Sequence, residues 1–262
     1  MGEAVATGVA HHGHGARPRG GATAGPDGRR SVVSEPAPAG GHPGGPMRLL
    51  SPAQRRRWQE ETLHSPRLRY GVPARVLFRL EDVVFGRGRS VPKFRALEII
   101  NRVAYQAWEQ AAYYLAGKLR ERSARARQLH DTVEADRAEQ DNEKWHVLIL
   151  DELEAAEGTG RSWFRFRLLP QLIAFAVYQQ FWLMRVLRPA WAYRFNADIE
   201  DHAEHEYAQL VAEHPEWDST PFQSLAAQEY GRYESVADVV RQIGSDEGVH
   251  KRISLDRLAR AR

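Results

Sequence analysis

Apolar side chains recur at spacings of three and four residues through most of the chain after Ser51, and glycine and proline are sparse within these stretches. This is the period of an amphipathic α-helix, whereas a half-buried strand alternates apolar and polar residues. Sustained alternation bounded by turn residues is weak, so the sequence predicts an all-α bundle. The predicted helices cover residues 51–63, 73–84, 92–121, 127–157, 162–188, 190–213 and 233–259, with breaks at 157–162 and 213–222.

The first 46 of the 262 residues differ in composition from the rest of the chain. They hold 12 of the 21 glycines and 6 of the 14 prolines, and no Phe, Trp or Tyr. Such a segment buries too little apolar surface to offset the entropy lost on folding. We therefore predict a disordered tail at residues 1–46 and a helical domain at residues 47–262. The tail also lacks the continuous apolar stretch of a secretory signal.

Two bulk properties limit the function. The chain contains no cysteine, which excludes disulfides, thiolate metal sites, iron–sulfur clusters and thiol-based regulation. Any metal must therefore be held by nitrogen and oxygen atoms. The formal net charge of +3 is modest, so we expect no nucleic-acid partner.

Residues 163–191 form a long apolar stretch that is rich in aromatic side chains. A membrane-spanning helix needs about 20 mostly apolar residues. Three glutamines and Arg185 interrupt this stretch, however, and Pro170 lies inside it. Arginines at both ends are typical of a helix that lies in the membrane interface, with its apolar side chains among the lipid tails. From the residues alone, a helix buried in the bundle or at a dimer interface remains equally open.

Two Glu-x-x-His pairs lie about a hundred residues apart, each within a predicted helix. They are Glu143 with His146, and Glu247 with His250. Residues three positions apart lie on one face of a helix, so the two side chains of a pair can bind the same ion. A third pair, Glu61 with His64, runs directly into a Ser-Pro sequence that disfavours helix, and we discount it.

Ferritin-like di-iron bundles combine two such pairs with one glutamate from each of two further helices. The expected order along the chain is Glu, Glu-x-x-His, Glu, Glu-x-x-His. For the first position the candidates are Glu98 and Glu109, which lie about three helical turns apart near one face. For the third position the candidates are Glu200, Asp201, Glu204 and Glu206, with His202 and His205 as further possible ligands. The residues alone do not choose among them, and this mixture of carboxylates and imidazoles suits iron or manganese better than structural zinc.

Four segments resemble the ligand motifs of the alternative oxidases, which are membrane-bound di-iron quinol oxidases related to the plastid terminal oxidases. The segments are ALEIINRVA (96–104), NEKWH (142–146), RFNADIEDHAEHEY (194–207) and DVVRQIGSDEGVH (238–250). They occur in the order that the bundle requires, and the resemblance covers roughly residues 75–255. It implies two iron ions per chain, held by Glu98, Glu143, His146, Glu200, Glu247 and His250.

The resemblance also implies a fold and an activity. The fold is a ferritin-like four-helix di-iron bundle with additional interfacial helices on one membrane leaflet. The activity is quinol oxidation, with ubiquinol or menaquinol, coupled to the four-electron reduction of O2 to water without proton pumping. We expect a homodimer on the membrane surface, on the cytoplasmic face of a bacterial inner membrane.

Further roles follow from the same resemblance. Tyr207, seven residues after Glu200, is implied as a catalytic residue. Asn142 and Asp246, each adjacent to a ligand, would orient the ligands. Lys93 and Arg95 are the predicted contacts of the quinol head group.

The chain departs from the family pattern around the quinol pocket rather than at the metal ligands. Lys93 stands where the family has an arginine, Tyr193 where it has a histidine, and Glu206 where it has a threonine. Gly244 and Ser245 occupy the place of a further arginine. Two alternatives therefore stay open, a di-iron hydroxylase or oxygenase acting on a quinone precursor, and a non-catalytic ferritin-like iron-binding protein.

Overall fold

Helices make up the secondary structure of the computed structural model, which describes residues 45–117, 123–158 and 162–261. They are α1 (Pro52–His64), α2 (Val72–Phe85), α3 (Val91–Asn101), α4 (Val103–Ala116), α5 (Ser123–Glu157), α6 (Leu169–Leu187), α7 (Pro189–Glu213), α8 (Leu225–Tyr230) and α9 (Val236–Arg260). Within these described ranges no strand occurs, and the prediction of an all-α fold is confirmed. Of the predicted disordered tail, residues 1–44 lie outside the described part.

The helix boundaries mostly follow from local signals in the sequence. Ser51 caps α1, because its hydroxyl accepts a hydrogen bond from the Gln54 N–H while the Gln54 side chain accepts one from the Ser51 N–H. The same helix ends at Ser65, directly before a proline. Ser235 caps α9 by accepting a hydrogen bond from the Asp238 N–H at 3.2 Å.

The structure differs from the predicted helices at Arg102 and after α7. The helix predicted at 92–121 is interrupted at Arg102, although Arg102 keeps helical backbone angles and its N–H donates to the Glu98 carbonyl at 3.1 Å. The chain after α7 contains a 3₁₀ turn, Pro215–Asp218, and the short helix α8, neither of which was predicted. Elements this short carry too little periodicity to be recognised from apolar spacing.

Pro170 changes the geometry of the helix that was predicted at 162–188. A π-helical turn, Phe164–Leu168, precedes α6, and Pro170 lies in the first turn of α6. Because proline has no N–H, the carbonyl of Phe166 lacks its usual α-helical donor. Arg95 supplies a donor from α3, and its Nη1 lies 3.0 Å from that carbonyl oxygen. Arg95 thereby ties α3 to the start of α6.

Four helical segments surround the polar interior of the bundle: α3 with α4, α5, α7 and α9. Helix α7 packs against α9, α4 packs against both α5 and α6, and α1 covers α7 and α9 from outside. One apolar cluster lies on the α4 and α6 side and includes Trp108 and Phe181. A second cluster, on the α5, α8 and α9 side, includes Ile149 and Val240. The buried polar side chains of the interior lie between these clusters.

Gly244 allows α9 to approach α1 and α7 closely. A methyl group at this position would lie 2.4 Å from Trp58 Cη2 and 2.7 Å from Tyr207 Cβ, which is closer than Cβ atoms in real proteins approach their neighbours. The family arginine that is missing here would therefore have no room. This contact also fixes the position of the Tyr207 side chain.

Candidate metal centre

The interior of the bundle brings together six side chains that were predicted as metal ligands. All six are almost fully buried: Glu98 comes from α3, Glu143 and His146 from α5, Glu200 from α7, and Glu247 and His250 from α9. They form the metal centre in the description that follows. Helical spacing places each glutamate and histidine of a pair on the same inward face.

The metal centre consists of two groups of four ligands. One group is Glu98, Glu143, His146 and Glu247, and the other is Glu143, Glu200, Glu247 and His250. Within each group one ligand atom from every residue lies within 4.8 Å of the others. Glu143 and Glu247 belong to both groups, so the geometry suits two ions bridged by two carboxylates, with one terminal glutamate and one histidine for each ion.

Several atoms of the metal centre approach one another without forming hydrogen bonds. His146 Nδ1 lies 3.0 Å from Glu247 Oε1, and His250 Nδ1 lies 2.9 Å from Glu143 Oε1. Neither nitrogen has a hydrogen-bond partner among the described residues, and the same holds for both carboxylate oxygens of Glu143. Buried polar atoms left unpaired are costly and uncommon, unless they ligate an ion. These side chains therefore fit a pair of metal ions.

The electrostatics of the metal-free centre lead to the same inference. Burial, followed by repulsion from neighbouring carboxylates, raises the pKa of Glu143 and of Glu200 well above the usual range. The same causes raise the pKa of Glu247 to about 7. Four buried carboxylates carry four negative charges when ionised, and two Fe(II) ions balance that charge. Metal ions thus remove the main cost of placing these groups together.

Glu98 and His146 titrate differently from the other ligands. Burial opposes the charged form of each, but the neighbouring side chains outweigh it. The nearby His146 imidazole, together with the Tyr207 hydroxyl, lowers the pKa of Glu98, and the surrounding carboxylates of Asp246, Glu247 and Glu98 raise the pKa of His146 well above its usual range.

A hydrogen-bond network holds the outer edge of His146. Its Nε2 lies 3.2 Å from the Tyr230 hydroxyl and 3.8 Å from Asp246 Oδ2, and the Tyr230 hydroxyl donates to the same Asp246 oxygen. Asn142 donates to Asp246 Oδ2 at 3.0 Å, and Gln242 donates to Asp246 Oδ1 at 3.1 Å. These contacts fix the ring so that Nδ1 faces the metal centre.

Two members of this network were predicted and two were not. Asn142 and Asp246 were singled out as neighbours of ligands in the sequence. Gln242 could have been found as well, because it lies one helical turn before Asp246 on α9. Tyr230 lies on the unpredicted helix α8, and the sequence offered no signal for it.

Tyr207 lies at the metal centre. Its side chain is buried against Phe94, with the ring centroids 4.6 Å apart, and its hydroxyl donates to Glu98 Oε1. Burial, followed by the charge of Glu98, raises its pKa well above the usual range. The phenol therefore keeps its proton next to a predicted ligand.

The other carboxylates that the sequence offered as ligands point away from the metal centre. Glu109 pairs with Arg137 at 2.5 Å, and Glu206 pairs with Arg67 and Arg89 at 2.8 and 2.9 Å. The remaining candidates, Asp201, Glu204, His202 and His205, also lie apart from it.

Three of these side chains, Asp201, Glu204 and His205, form a separate buried group that resembles a metal site. Lys251 lies against it, with its Nζ 3.0 Å from Asp201 Oδ1 and in contact with Glu204 Oε2. An ammonium group thus supplies the positive charge that an ion would bring. His202 lies elsewhere and stacks on Phe78, with the ring centroids 3.9 Å apart.

The two predicted quinol contacts already have protein partners. Lys93 Nζ lies 2.8 Å from Asp82 Oδ1 and donates to the Gly86 carbonyl at 2.8 Å, where α2 ends. Arg95 Nε lies 2.6 Å from Asp151 Oδ1. Lys93 thus links α3 to α2, whereas Arg95 links α3 to α5 and the π-helical turn.

The outer sides of α2 and α6 expose large apolar side chains. On α2 they recur every three or four residues and therefore share one face. The outer apolar face consists of Val72, Val76, Leu80 and Val83 on α2, Leu172, Phe175, Leu183 and Leu187 on α6, and Trp163, Phe164 and Trp191 at the ends of α6. None of the helices in the described ranges combines the length and the apolarity needed to cross a membrane.

Comparison with known proteins identifies the family. A sequence model of the alternative oxidase family matches residues 81–257, a stretch that covers more than half of the 262 residues. No curated protein and no solved structure matches the chain. The resemblance inferred from the four motifs is confirmed by this match, which spans the metal centre and the helices that carry it. The chain belongs to the alternative oxidase family, the members of which are di-iron oxidoreductases with a ferritin-like fold.

Proposed function

We propose that this chain is a peripheral membrane quinol oxidase that reduces O2 to water. The observation that carries the proposal is the pair of four-ligand groups that share Glu143 and Glu247. The proposed ligands of two irons are Glu98, Glu143, His146, Glu200, Glu247 and His250. When bound, the irons supply the redox chemistry by which dioxygen is reduced.

The protein groups around the ligands hold protons and fix orientation. We propose Tyr207 as a catalytic residue, because its phenolic proton is held at Glu98, inside a water-excluding core. Tyr230 and Asp246 hold the outer nitrogen of His146, and Asn142 holds Asp246 in turn. We propose that these contacts orient the inner nitrogen toward the metal.

The stoichiometry of the proposed reaction needs no proton pump. Reduction of one O2 to two H2O consumes four electrons and four protons. Two quinols, each oxidised to a quinone, release four electrons and four protons. The chemical reaction is therefore balanced without protons drawn from across a membrane.

The outer apolar face supports binding to one membrane leaflet. Soluble proteins rarely expose a large contiguous apolar patch unless it binds a partner or a lipid surface. Arg165 and Arg188 flank α6, where cationic side chains can reach lipid head groups while apolar ones enter the lipid tails. A quinol that arrives through the lipid would meet the outer apolar face, and Lys93 is bound at the end of α2, one of the helices of this face.

Lys93 is therefore the proposed contact of the quinol head group. Its partner Asp82 has 44% of its side chain exposed, so this ion pair lies near the surface and a ligand oxygen can replace one of its bonds. Arg95 is held by Asp151 and by the Phe166 carbonyl, and its proposed role is to shape the same region. The homodimer and the location on the cytoplasmic face of a bacterial inner membrane stay predictions that follow from the resemblance.

Oxygen uptake by membranes that contain the protein tests this function. Ubiquinol and menaquinol analogues are supplied in turn, with cyanide present to silence haem oxidases. We expect quinol-dependent uptake that is lost in Glu143→Ala and His250→Ala and kept in the control Glu109→Gln, which alters a carboxylate outside the metal centre. Incorporation of an oxygen atom into the quinone ring would favour a hydroxylase, and bound iron without any quinol oxidation would favour iron storage.

A further inference from the structure

Tyr105 is a fully buried tyrosine at the metal centre that the sequence did not bring to notice. It lies on α4, and its hydroxyl donates to Glu200 Oε1 at 2.8 Å. Its ring also meets the imidazole of His250 edge to face, with the ring centroids 5.6 Å apart. Tyr105 therefore contacts Glu200 and His250, the two ligands that are found only in the second four-ligand group.

Tyr105 and Tyr207 occupy equivalent positions in the two halves of the metal centre. Tyr105 follows Glu98 by seven residues, and Tyr207 follows Glu200 by seven residues, which is about two helical turns. Each tyrosine donates to the glutamate of the other segment, Tyr105 to Glu200 and Tyr207 to Glu98. The two hydrogen bonds thus cross between the α3–α4 segment and α7, and each terminal glutamate receives one phenol.

The hydrogen bonds on Glu200 distinguish its two oxygens. Oε1 accepts the Tyr105 hydroxyl and also the Asn196 amide, which lies 2.9 Å away. The same amide nitrogen lies 3.2 Å from the Tyr105 hydroxyl and 3.1 Å from Ser254 Oγ. Oε2 is buried and has no hydrogen-bond partner in the part of the chain that the structure describes. Only Oε2 is therefore left to ligate an ion.

We propose that Tyr105 is a positioning residue for the ion bound by Glu200 and His250. It holds Glu200 by Oε1, together with Asn196, and so directs Oε2 toward the metal. Tyr207 holds Glu98 in the same way at the other ion. Each tyrosine thus orients the terminal glutamate of one of the two ions. This inference rests on the proposed pair of metal ions and adds a residue that acts on one of them.

Stepwise titration of the metal-free protein with Mn(II), followed by calorimetry and electron paramagnetic resonance, tests the proposal. Tyr105→Phe removes the hydroxyl and keeps the ring. Loss of a hydrogen bond that orients a ligand typically weakens metal binding about 10- to 100-fold. We expect a loss of this size in one binding step for Tyr105→Phe and in the other step for Tyr207→Phe. The control Tyr70→Phe removes a phenol that donates to Asp201 at 2.9 Å, outside the metal centre, and should bind both ions as the wild type does.

Histidine variants assign each step to an ion. His146→Ala leaves intact the site formed by Glu200 and His250. Adding Tyr105→Phe to this variant should weaken the binding of the one remaining ion. His250→Ala leaves the other position, where adding Tyr105→Phe should change nothing. Equal losses in the two backgrounds, or unchanged binding in Tyr105→Phe, would overturn the proposal.

Two further outcomes are also decisive. If the histidine variants bind no ion, the single Tyr→Phe titrations decide, because a loss confined to one step supports the proposal and equal or absent losses overturn it. Failure of the wild type to bind two ions would instead contradict the proposed function.

Discussion

Two regions of the molecule depart from the usual distribution of side chains. The interior of the bundle buries charged groups, whereas the outer sides of α2 and α6 expose apolar ones. Inside, four carboxylates and two imidazoles lie almost without exposed surface. Outside, Val83 is 79% exposed and Phe175 is 70% exposed. Globular proteins usually bury such apolar groups and leave charges in water, so each departure costs stability.

The difference shows which parts of the molecule are explained by folding alone. The apolar clusters around Trp108 and Val240 need no function to account for them, because burial stabilises them. The charged interior is accounted for by the proposed metal ions, and the outer apolar face by the proposed lipid surface. Both departures are therefore best explained by ligands of the folded chain.

The largest effect is expected from a bridging ligand. Glu143→Gln removes one carboxylate from both four-ligand groups, so bound iron should fall from about two ions per chain to almost none. The fold should survive, because Gln keeps the size of the side chain and removes a buried carboxyl group that is costly to ionise. Iron analysis and circular dichroism check both statements, with Glu109→Gln as the matched control. Retention of two irons in Glu143→Gln would show that the interior charges serve another purpose.

The outer apolar face gives the next largest effect. Burying a Val or Phe side chain contributes about 1.5–3 kcal/mol, so Val83→Glu or Phe175→Glu should weaken binding to phosphatidylglycerol vesicles at least about tenfold. Co-sedimentation with vesicles measures this. Leu49→Glu is the control, because Leu49 is an exposed leucine of a segment that is bonded to Gln242 on α9. Equal losses in all three variants would show that no particular face binds the membrane.

The charged interior also predicts how pH affects the metal-free protein. The folded pKa values of Glu143, Glu200 and Glu247 are raised, that of Glu247 to about 7. Between the ordinary pKa of a glutamate and these raised values, the folded state binds more protons than the unfolded state. The free energy of unfolding is therefore greatest at low pH and falls as pH rises. The raised pKa of His146 acts in the same direction, whereas the lowered pKa of Glu98 acts in the opposite one.

Thermal unfolding of the metal-free protein between about pH 5 and pH 8 measures this dependence. The melting temperature should fall as pH rises, and added Mn(II) should reduce the fall. The variant Glu143→Gln should show a shallower pH dependence than the wild type. A metal-free protein that becomes more stable as pH rises would contradict the account of the interior.

A smaller effect is expected where α9 approaches Tyr207. Gly244→Ala places a methyl group against Trp58 and Tyr207, and overpacking of this kind costs about 1–3 kcal/mol. Urea unfolding should show that loss, and oxygen uptake should fall because the Tyr207 side chain must shift. Gly88→Ala is the control, since a methyl group there meets no atom within 4 Å. An unchanged midpoint for Gly244→Ala would mean that the contact between α9 and α7 is loose.

The sequence predicted the ligands best where residue types that bind metals lie at the spacing of a helix. The two Glu-x-x-His pairs could be placed on helix faces because residues three positions apart must lie together. The choice between Glu98 and Glu109 came from the resemblance; in the structure Glu98 lies among the six side chains of the metal centre, whereas Glu109 pairs with Arg137. Tyr105 could have been predicted as well, because it has the same seven-residue spacing from a glutamate as Tyr207.

Other features depend on contacts between distant parts of the chain, and no local pattern reveals them. Tyr230 lies on a helix of six residues, too short for a recognisable period. Arg95 donates to the carbonyl of Phe166, which cannot receive the usual α-helical bond from Pro170, four residues later. Lys93 was predicted from the resemblance, at the place of a family arginine, whereas its bond to Asp82 depends on how α2 and α3 pack.

The most direct test of the central claim is Mössbauer spectroscopy of the purified protein loaded with iron. Because Glu143 and Glu247 belong to both four-ligand groups, two irons should share bridging carboxylates and their spins should be coupled. The account predicts about two irons per chain in one spin-coupled pair. A single iron, or two irons that show no coupling, would contradict it.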